Sequence, residues 1–277
     1  LRCNQLTGKE PFGHAWIMGY GVDEKGERMS KSKGNVIDPI PLLEKLGGDT
    51  FRYWAASETN LGADFRCSEN RIIGSKKFLT KIWNIARFIS IFPIQEEVDL
   101  TLSDKWILSE ISELIKECSK GYNDFNFFIP ANKVREFTWN TFAAHYLEMI
   151  KGRAYGSGLN NQEQKIFSEQ EQKSAWFTLH TVMKSILLLL APITPFATDA
   201  LWREMYGKTS IHREIFPEAI WNTEHSKYTE NLLEFNSKVW FEKKNKGISL
   251  KEEVKIEIPK ELLGFSKDLR AMHNITD

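Results

Sequence analysis

Apolar residues in the middle of the chain recur every three or four positions, which is the spacing of an amphipathic helix. The pattern predicts long helices at about 68–92, 103–120, 126–154, 166–190 and 195–206. Residues that end or start helices lie between these segments. They are Pro93, Ser103 as a cap, Gly121, the glycine-containing loop at 156–158, Pro192, and Thr194 before Pro195. Segments of this length with such connections favour an antiparallel helical bundle.

The first 65 residues have a different pattern, with many glycines and short apolar runs. These runs predict buried strands at 15–18 and 20–22. Asp38 followed by Pro39 predicts the start of a helix that ends at Gly47, and Asp49 is predicted to cap a second short helix. This region is therefore predicted to be loop-rich α/β structure.

Residues beyond 221 form a third region. A helix is predicted at about 226–244, and alternating apolar and charged residues at 254–258 predict a half-buried strand. A short helix is predicted at about 262–272. We therefore expect a mainly α protein, in which an antiparallel helical bundle is preceded by α/β sequence and followed by a small α/β tail.

The composition is that of a water-soluble globular protein, with 42% hydrophobic and 27% charged residues. Lys plus Arg and Asp plus Glu number 37 each, so the formal charge is zero and any site for a polyanion must be a local patch. Cys3, Cys67 and Cys118 are isolated, which supports neither a disulfide framework nor a zinc site and fits the cytoplasm. No metal site is predicted, and no apolar run is long enough to span a membrane.

Candidate chemistry is concentrated in one polar loop, ERMSKSKGN at 27–35, directly before a predicted helix. The loop combines three cations, two serine hydroxyls and a glycine. Cationic side chains neutralise phosphate oxygens, hydroxyls donate to them, and glycine allows backbone amides to approach closely. A phosphate-binding loop is therefore one interpretation. By composition alone, a solvated surface loop is the more frequent one.

The order of residues 28–32, RMSKS, resembles the KMSKS signature of class I aminoacyl-tRNA synthetases, and the run GYGVDEKGERMSKSKGNVIDP at 19–39 resembles its usual setting. In that family the loop closes over the ATP triphosphate during formation of the aminoacyl-adenylate. The resemblance implies a set of ATP-binding residues: Arg28, Met29, Ser30, Lys31, Ser32 and Lys33. It implies that Lys31 is the catalytic cation and Lys33 an electrostatic helper. Arg28 replaces the first lysine of the signature, which keeps the charge but changes its geometry.

Other segments resemble the valyl enzymes of this family most, with the isoleucyl enzymes as the alternative. They are DFRCSE at 64–69, KKFL at 76–79, KIWNIARF at 81–88, LSDKWILS at 102–109 and APITPF at 191–196. The resemblance implies three domains. Residues 1–66 would be the end of a Rossmann-like catalytic domain with the KMSKS loop, 67–220 an anticodon-binding helical bundle, and 221–277 a small α/β appendage.

The resemblance also implies a reaction and partners. These are the ATP-dependent activation of valine and its transfer to valine tRNA, with ATP and Mg²⁺, in a monomeric cytoplasmic enzyme. The second ATP signature of the family, HIGH, does not occur in the sequence, and His14 in Gly-His-Ala-Trp does not replace it. The sequence also begins without Met. We therefore expect a C-terminal fragment that is inactive by itself.

Basic residues give the neutral chain a local cationic stripe between 66 and 87, where Glu69 is the only acid. On the predicted helix, Lys77, Lys81, Asn84 and Phe88 share the face beside the apolar one. An aromatic ring next to cations is what single-stranded RNA requires. The predicted tRNA-binding residues are Arg66, Arg71, Lys77, Lys81, Asn84 and Phe88. The alternative is that Phe88 only packs against a neighbouring helix.

Four other conspicuous side chains lie on apolar faces and are predicted to be core residues without a catalytic role. They are His145, His180, Trp139 and Trp176. Two further classes of protein remain open at this point. One is a non-catalytic RNA-binding module, and the other is a helical scaffold that binds protein.

Overall fold

The computed structural model describes residues 2–96, 98–156 and 166–276. Most of this structure is helical, as the sequence predicts. The helices are α1 (Arg2–Thr7), α2 (Pro39–Leu46), α3 (Gly48–Glu58), α4 (Glu69–Ile89), α5 (Leu102–Asn123), α6 (Phe128–Glu136), α7 (Leu147–Tyr155), α8 (Glu169–Leu190), α9 (Pro195–Met205), α10 (Thr229–Asn245) and α11 (Ser266–His273). A π-helix, Phe137–Tyr146, joins α6 to α7. Short 3₁₀ turns span Lys31–Lys33, Ile211–Arg213, Glu224–Tyr228 and Lys260–Phe265.

The core of the bundle lies around α5. This helix packs on α6 and α8, α7 packs on α8 and α11, and α4 packs on α3 and α8. Phe78, Trp106 and Phe142 are among its fully buried side chains. The same core continues into the C-terminal region through Leu262 and Leu269. The predicted bundle is confirmed, and the C-terminal region packs directly on it.

The helix predicted at 126–154 contains a wider turn that the sequence pattern does not show. In a π-helix, residues five positions apart lie on the same face. Phe137 and Phe142 accordingly stack, with ring centroids 6.0 Å apart and planes 8° apart. The π-helix nevertheless keeps its apolar face in the core, since Phe137, Phe142 and Tyr146 are all buried.

Helix ends agree with the sequence at some positions and differ at others. Asp38 accepts a hydrogen bond from the backbone amide of Ile40 (3.0 Å), and Gly47 ends α2 at φ 85°. The prediction that Asp49 caps its own helix is wrong. Asp49 lies in the first turn of α3, and its Oδ2 accepts from the backbone amide of Ala197 in α9 (2.6 Å). It therefore connects two helices.

A buried ionic network connects α5, α7 and α11. Arg153, with 1% of its side chain exposed, donates to Asp104 from Nη1 (2.6 Å) and Nη2 (2.9 Å) and to Asp268 from Nε (3.1 Å). The prediction that Ser103 caps a helix is wrong. Helix α5 begins at Leu102, and the Ser103 hydroxyl donates to Asp268 (2.6 Å). Burial raises the pKa of Asp268, whereas for Asp104 Arg153 and two hydroxyl donors outweigh burial and lower the pKa.

The predicted strands are short or absent in the described residues. Among the residues that the structure describes, only Gly21–Val22 (β1) and Phe65–Arg66 (β2) form a ladder, and they pair in parallel. The run at 15–18 is largely exposed, with a single bridge from Met18 to Leu61, so its prediction as a buried strand is wrong. In the described ranges the sheet has two strands, and no third strand packs on the run at 15–18 to bury it.

At 254–258 the alternation of buried and exposed side chains is confirmed. Val254 and Ile258 are buried, and Lys255 and Glu257 are exposed. Only Val254 makes a bridge, to Ile275. The segment is therefore half-buried as predicted, but the strand is reduced to one bridge because the described chain gives it no longer partner.

Asn236 on α10 joins two buried histidines. Its amide nitrogen donates to His145 Nδ1 (3.1 Å), and its amide oxygen accepts from His273 Nε2 (2.8 Å). His180 is also buried, and its Nε2 donates to the carbonyl of Phe92 (3.0 Å). Burial lowers the pKa of all three histidines. The prediction that His145 and His180 are core residues is confirmed.

Stability is expected to fall as the pH is lowered from about 6.5 to about 4. Burial, with Lys243 and His145 nearby, lowers the pKa of His273 to about 4, whereas an unfolded histidine has a pKa near 6.5. Between these two pH values the unfolded state binds the proton and the folded state does not. The contribution of His273 to stability is therefore fully present above pH 6.5, and the free energy of unfolding falls by on the order of 3 kcal/mol as the pH is lowered to about 4. Urea unfolding at several pH values measures this. His273→Gln should show a shallower decline, and an unchanged decline would contradict the assignment.

No helix in the ranges described combines the length and the apolar composition that a membrane span needs.

Candidate phosphate-binding loop and nucleic-acid interface

The predicted phosphate-binding loop is held against the segment just before α4. The backbone amide of Tyr20 donates to the Asp64 carboxylate (2.7 Å), and β1 pairs with β2. Gly19 is required at its position, because a Cβ there would lie 2.1 Å from the carbonyl oxygen of Ala63. The backbone amide of Cys67 donates to the carbonyl of Val22 (2.8 Å). The loop and the start of α4 thus form one unit.

Asp23 and Asn35 fix the two ends of the loop. Asp23 accepts from the backbone amides of Lys25 (3.0 Å) and Glu27 (2.9 Å) and from the Asn35 side chain (2.9 Å). The hydrogen bond from Asn35, followed by that from Glu27, lowers the pKa of Asp23. Asn35 Oδ1 also accepts from the backbone amide of Ser30 (3.0 Å). Sequence reasoning missed both residues, although each belongs to the run at 19–39 that carries the family resemblance.

The cationic side chains of the loop are held differently from one another. Arg28 stacks on the Tyr20 ring, with its guanidinium carbon 3.7 Å from the ring centroid. Lys33 pairs with Glu27 (3.1 Å) on the surface, where such pairs are worth only about 0–1 kcal/mol. Lys31 is exposed and makes no ion pair within the described ranges. Lys31 is therefore the cation that is free to bind an anion.

Hydroxyl groups lie next to these cations. Ser30 and Ser32 have their Oγ atoms 3.2 Å apart. Ser32 lies within the 3₁₀ turn Lys31–Lys33, which Ser30 precedes and Gly34 ends at φ 68°. Ammonium and hydroxyl donors on an exposed turn match the oxygens of a phosphate group. The donor set therefore fits a nucleotide phosphate.

The first turn of α4 is tied to α2 and α3. Ser68 caps the helix by accepting from the backbone amide of Arg71 (3.4 Å). Glu69 pairs with Lys45 (2.8 Å), and Arg71 pairs with Glu58 (2.6 Å). Of the six predicted tRNA-binding residues, Arg71 is thus the one with a carboxylate partner, whereas Arg66 is exposed in β2.

The rest of α4 carries a cationic face. Lys76, Lys77, Asn84 and Arg87 are exposed, and Lys81 is partly exposed. None of these lysines or Arg87 makes an ion pair with a residue that the structure describes. At 1.5 Å per helical residue, Lys81 lies about 20 Å along the axis from the Ser68 cap. One helix therefore begins at the phosphate-binding loop and carries the cationic stripe along its length.

Three aromatic side chains lie near this stripe, and Trp83 on α4 itself is 49% exposed. Phe88 is half-buried in an aromatic group with Phe92 (centroids 5.3 Å apart) and Tyr155 (6.1 Å). Trp139, predicted as a core residue, is instead 41% exposed, so that prediction is wrong. Trp176 is partly buried against the core, as predicted.

Comparison with known proteins relates both the N-terminal region with the RMSKS loop and the helical bundle to tRNA synthetases. The family of class I tRNA synthetases (I, L, M and V) matches residues 1–68, and the anticodon-binding domain of tRNA ligases matches residues 104–258. The chain belongs to the class I tRNA synthetases that carry this anticodon-binding domain. Its relatives include the valine–tRNA ligases of Aeropyrum pernix (40% identity over 99% of this chain) and Pyrobaculum aerophilum (41% over 100%).

The predicted resemblance to the valyl enzymes is thereby confirmed. The chain spans 34% of the length of each of these two relatives. The fold is shared with a solved structure, the LeuRS of Agrobacterium radiobacter K84 in a ternary complex with tRNA and LeuAMS. The TM-score is 0.60 at 18% identity, over 79% of this chain and 26% of that one.

Proposed function

We propose that this chain is the part of a valine–tRNA ligase that supplies the KMSKS loop and the anticodon-binding surface. The whole enzyme would activate valine with ATP and Mg²⁺ and transfer it to valine tRNA, as a cytoplasmic monomer. The observation that supports this most directly is the position of α4. The segment just before its first turn is hydrogen-bonded to the strand that leads into the phosphate-binding loop, and its exposed face carries cations without carboxylate partners among the described residues.

The ATP-binding residues would be Arg28, Met29, Ser30, Lys31, Ser32 and Lys33. Lys31 would act directly on the phosphates because it has no competing partner in the described structure. Lys33 can exchange Glu27 for a phosphate at low cost, since a surface ion pair contributes so little. Arg28, stacked on Tyr20, would contribute charge from a fixed position.

The residues proposed to bind tRNA remain those predicted from the sequence, with Lys77, Lys81 and Asn84 on the exposed face of α4 as the central group. Arg66 would extend this surface toward the loop. Arg71 would contribute less, because Glu58 already neutralises it.

The chain is expected to bind tRNA with an affinity that falls as salt rises, because neutralised phosphates release counterions. Lys77→Ala should reduce the slope of log K against log salt by about one unit, which corresponds to one lost phosphate contact. Fluorescence anisotropy with labelled valine tRNA at several salt concentrations measures this slope.

Lys116→Ala is the matched control. Lys116 is also an exposed helical lysine, but it lies on α5 and pairs with Glu113 (3.3 Å). Its slope should equal that of the wild type. Equal slopes for all three proteins would remove Lys77 from the tRNA surface, and a chain that does not bind tRNA would contradict the proposed function itself.

A further inference from the structure

We infer that Trp139, together with Lys81, is a stacking site for an unpaired base of the bound RNA. This inference rests on the proposed function, because it specifies where a nucleotide base meets the tRNA-binding surface. It concerns a residue that the sequence pattern assigns to the core.

The ring of Trp139 is available to a ligand, unlike the other aromatic rings of its helix. Phe137, Phe142 and Tyr146 are buried in the core of the bundle, at 6% exposure or less. Trp139 is 41% exposed on the same π-helix. Exposure of a tryptophan ring on a rigid helix leaves apolar surface in water, and a stacked base would cover that surface.

Lys81 lies over this ring. Its Nζ is 5.7 Å from the centroid of Trp139, which is within the range of a cation–π interaction. At an exposed site such a contact is worth only about 0.5–1 kcal/mol. A base can therefore take the place of the ammonium on the ring, while the ammonium moves to the phosphate of the same nucleotide. Stacking and charge neutralisation would then act on one nucleotide.

The charges around the site favour a polyanion. From residue 70 to residue 89, α4 contains no acid, and its cations at 76, 77, 81 and 87 are not paired with described carboxylates. The acidic residue nearest to Trp139 in sequence is Glu136, which lies three residues before it at the end of α6. Cations beside an accessible aromatic ring are the features by which proteins bind single-stranded nucleic acid.

Phe88 is a weaker candidate for the same role. Its ring contacts Phe92 and Tyr155, and Phe92 in turn lies 6.4 Å from the ring of Trp176. A base would have to compete with this aromatic group for the ring of Phe88. At Trp139 it competes only with a flexible lysine.

The test compares Trp139→Ala and Trp139→Phe in three titrations, with the anticodon stem-loop of valine tRNA, with an RNA duplex that has no loop, and with polyphosphate. Trp139→Ala should weaken stem-loop binding by about 5- to 150-fold, the equivalent of one lost stacking contact. Trp139→Phe should retain most of the affinity. Binding of the duplex and of polyphosphate, which offer charge without unpaired bases, should be unchanged.

Two further variants keep the test informative. Trp139→Gln, which removes the ring but keeps an extended side chain, must reproduce the loss of stem-loop affinity. Melting curves give the folded fraction of each variant, and each affinity is corrected for that fraction. Phe241→Ala, which removes another exposed aromatic ring on α10, should have no effect.

The outcomes separate the two proposals. If the wild-type chain binds none of the RNAs, the proposed function fails. If the wild type binds the stem-loop and the alanine and glutamine variants bind it equally well, the stacking site is overturned while tRNA binding stands. An equal loss for polyphosphate would also overturn it, because the ring would then act through the position of Lys81 alone.

Discussion

Lys31→Ala, made in a valine–tRNA ligase that contains this chain, is expected to lower the rate of valyl-adenylate formation by about 100-fold or more. In the proposed function, the Lys31 ammonium neutralises charge that develops on the phosphates in the transition state. Removal of one such donor typically costs about 100- to 1000-fold in rate. The structure supports the assignment because Lys31 is exposed and has no carboxylate partner among the described residues.

The affinity for valine should change little in the same variant, since the contact is made mainly in the transition state. Valine-dependent exchange of pyrophosphate into ATP measures both quantities. Lys25→Ala is the matched control, because Lys25 is an exposed lysine of the adjoining turn, outside the signature. Equal rates for Lys31→Ala and the wild type would exclude Lys31 from adenylate formation, and equal losses for the two variants would indicate a general charge effect.

Arg153→Ala is expected to reduce the free energy of unfolding by about 3–5 kcal/mol, the cost of leaving buried charges without their partner. Asp104 and Asp268 would both remain buried, at 0% and 5% exposure, without the guanidinium that they share. Urea unfolding followed by circular dichroism measures the change.

The loss should be smaller at low pH. In the variant, burial without Arg153 favours the neutral form of both carboxyl groups, so protonation relieves the destabilisation, whereas the wild type loses the contribution of Asp104 as pH falls through its lowered pKa. Lys151→Ala removes an exposed cation of the same helix, paired with Glu148. It should change stability by less than about 1 kcal/mol. Equal stability of the wild type and Arg153→Ala would show that the network does not hold α5, α7 and α11 together.

Features that depend on neighbouring positions could be predicted from the sequence. Helical periodicity identified α4, α5 and α8, because an apolar face repeats every 3.6 residues whatever the helix packs against. Asp38 and Gly47 marked the ends of α2 for local steric reasons. The RMSKS loop could be recognised because its residue types and order are specific, and the relatives among valine–tRNA ligases agree with that resemblance.

Contacts between side chains that are distant in sequence could not be predicted and are seen in the three-dimensional structure. Asp104 and Asp268 are separated by most of the chain, and nothing in their local sequence indicates a shared arginine. Asp49 looked like a helix cap and instead binds the start of α9. Trp139 was predicted as a core residue, but in the structure its ring is 41% exposed beside Lys81 of α4. Periodicity reports which residues share a face, but the partner of that face is set by packing between elements that are far apart in sequence.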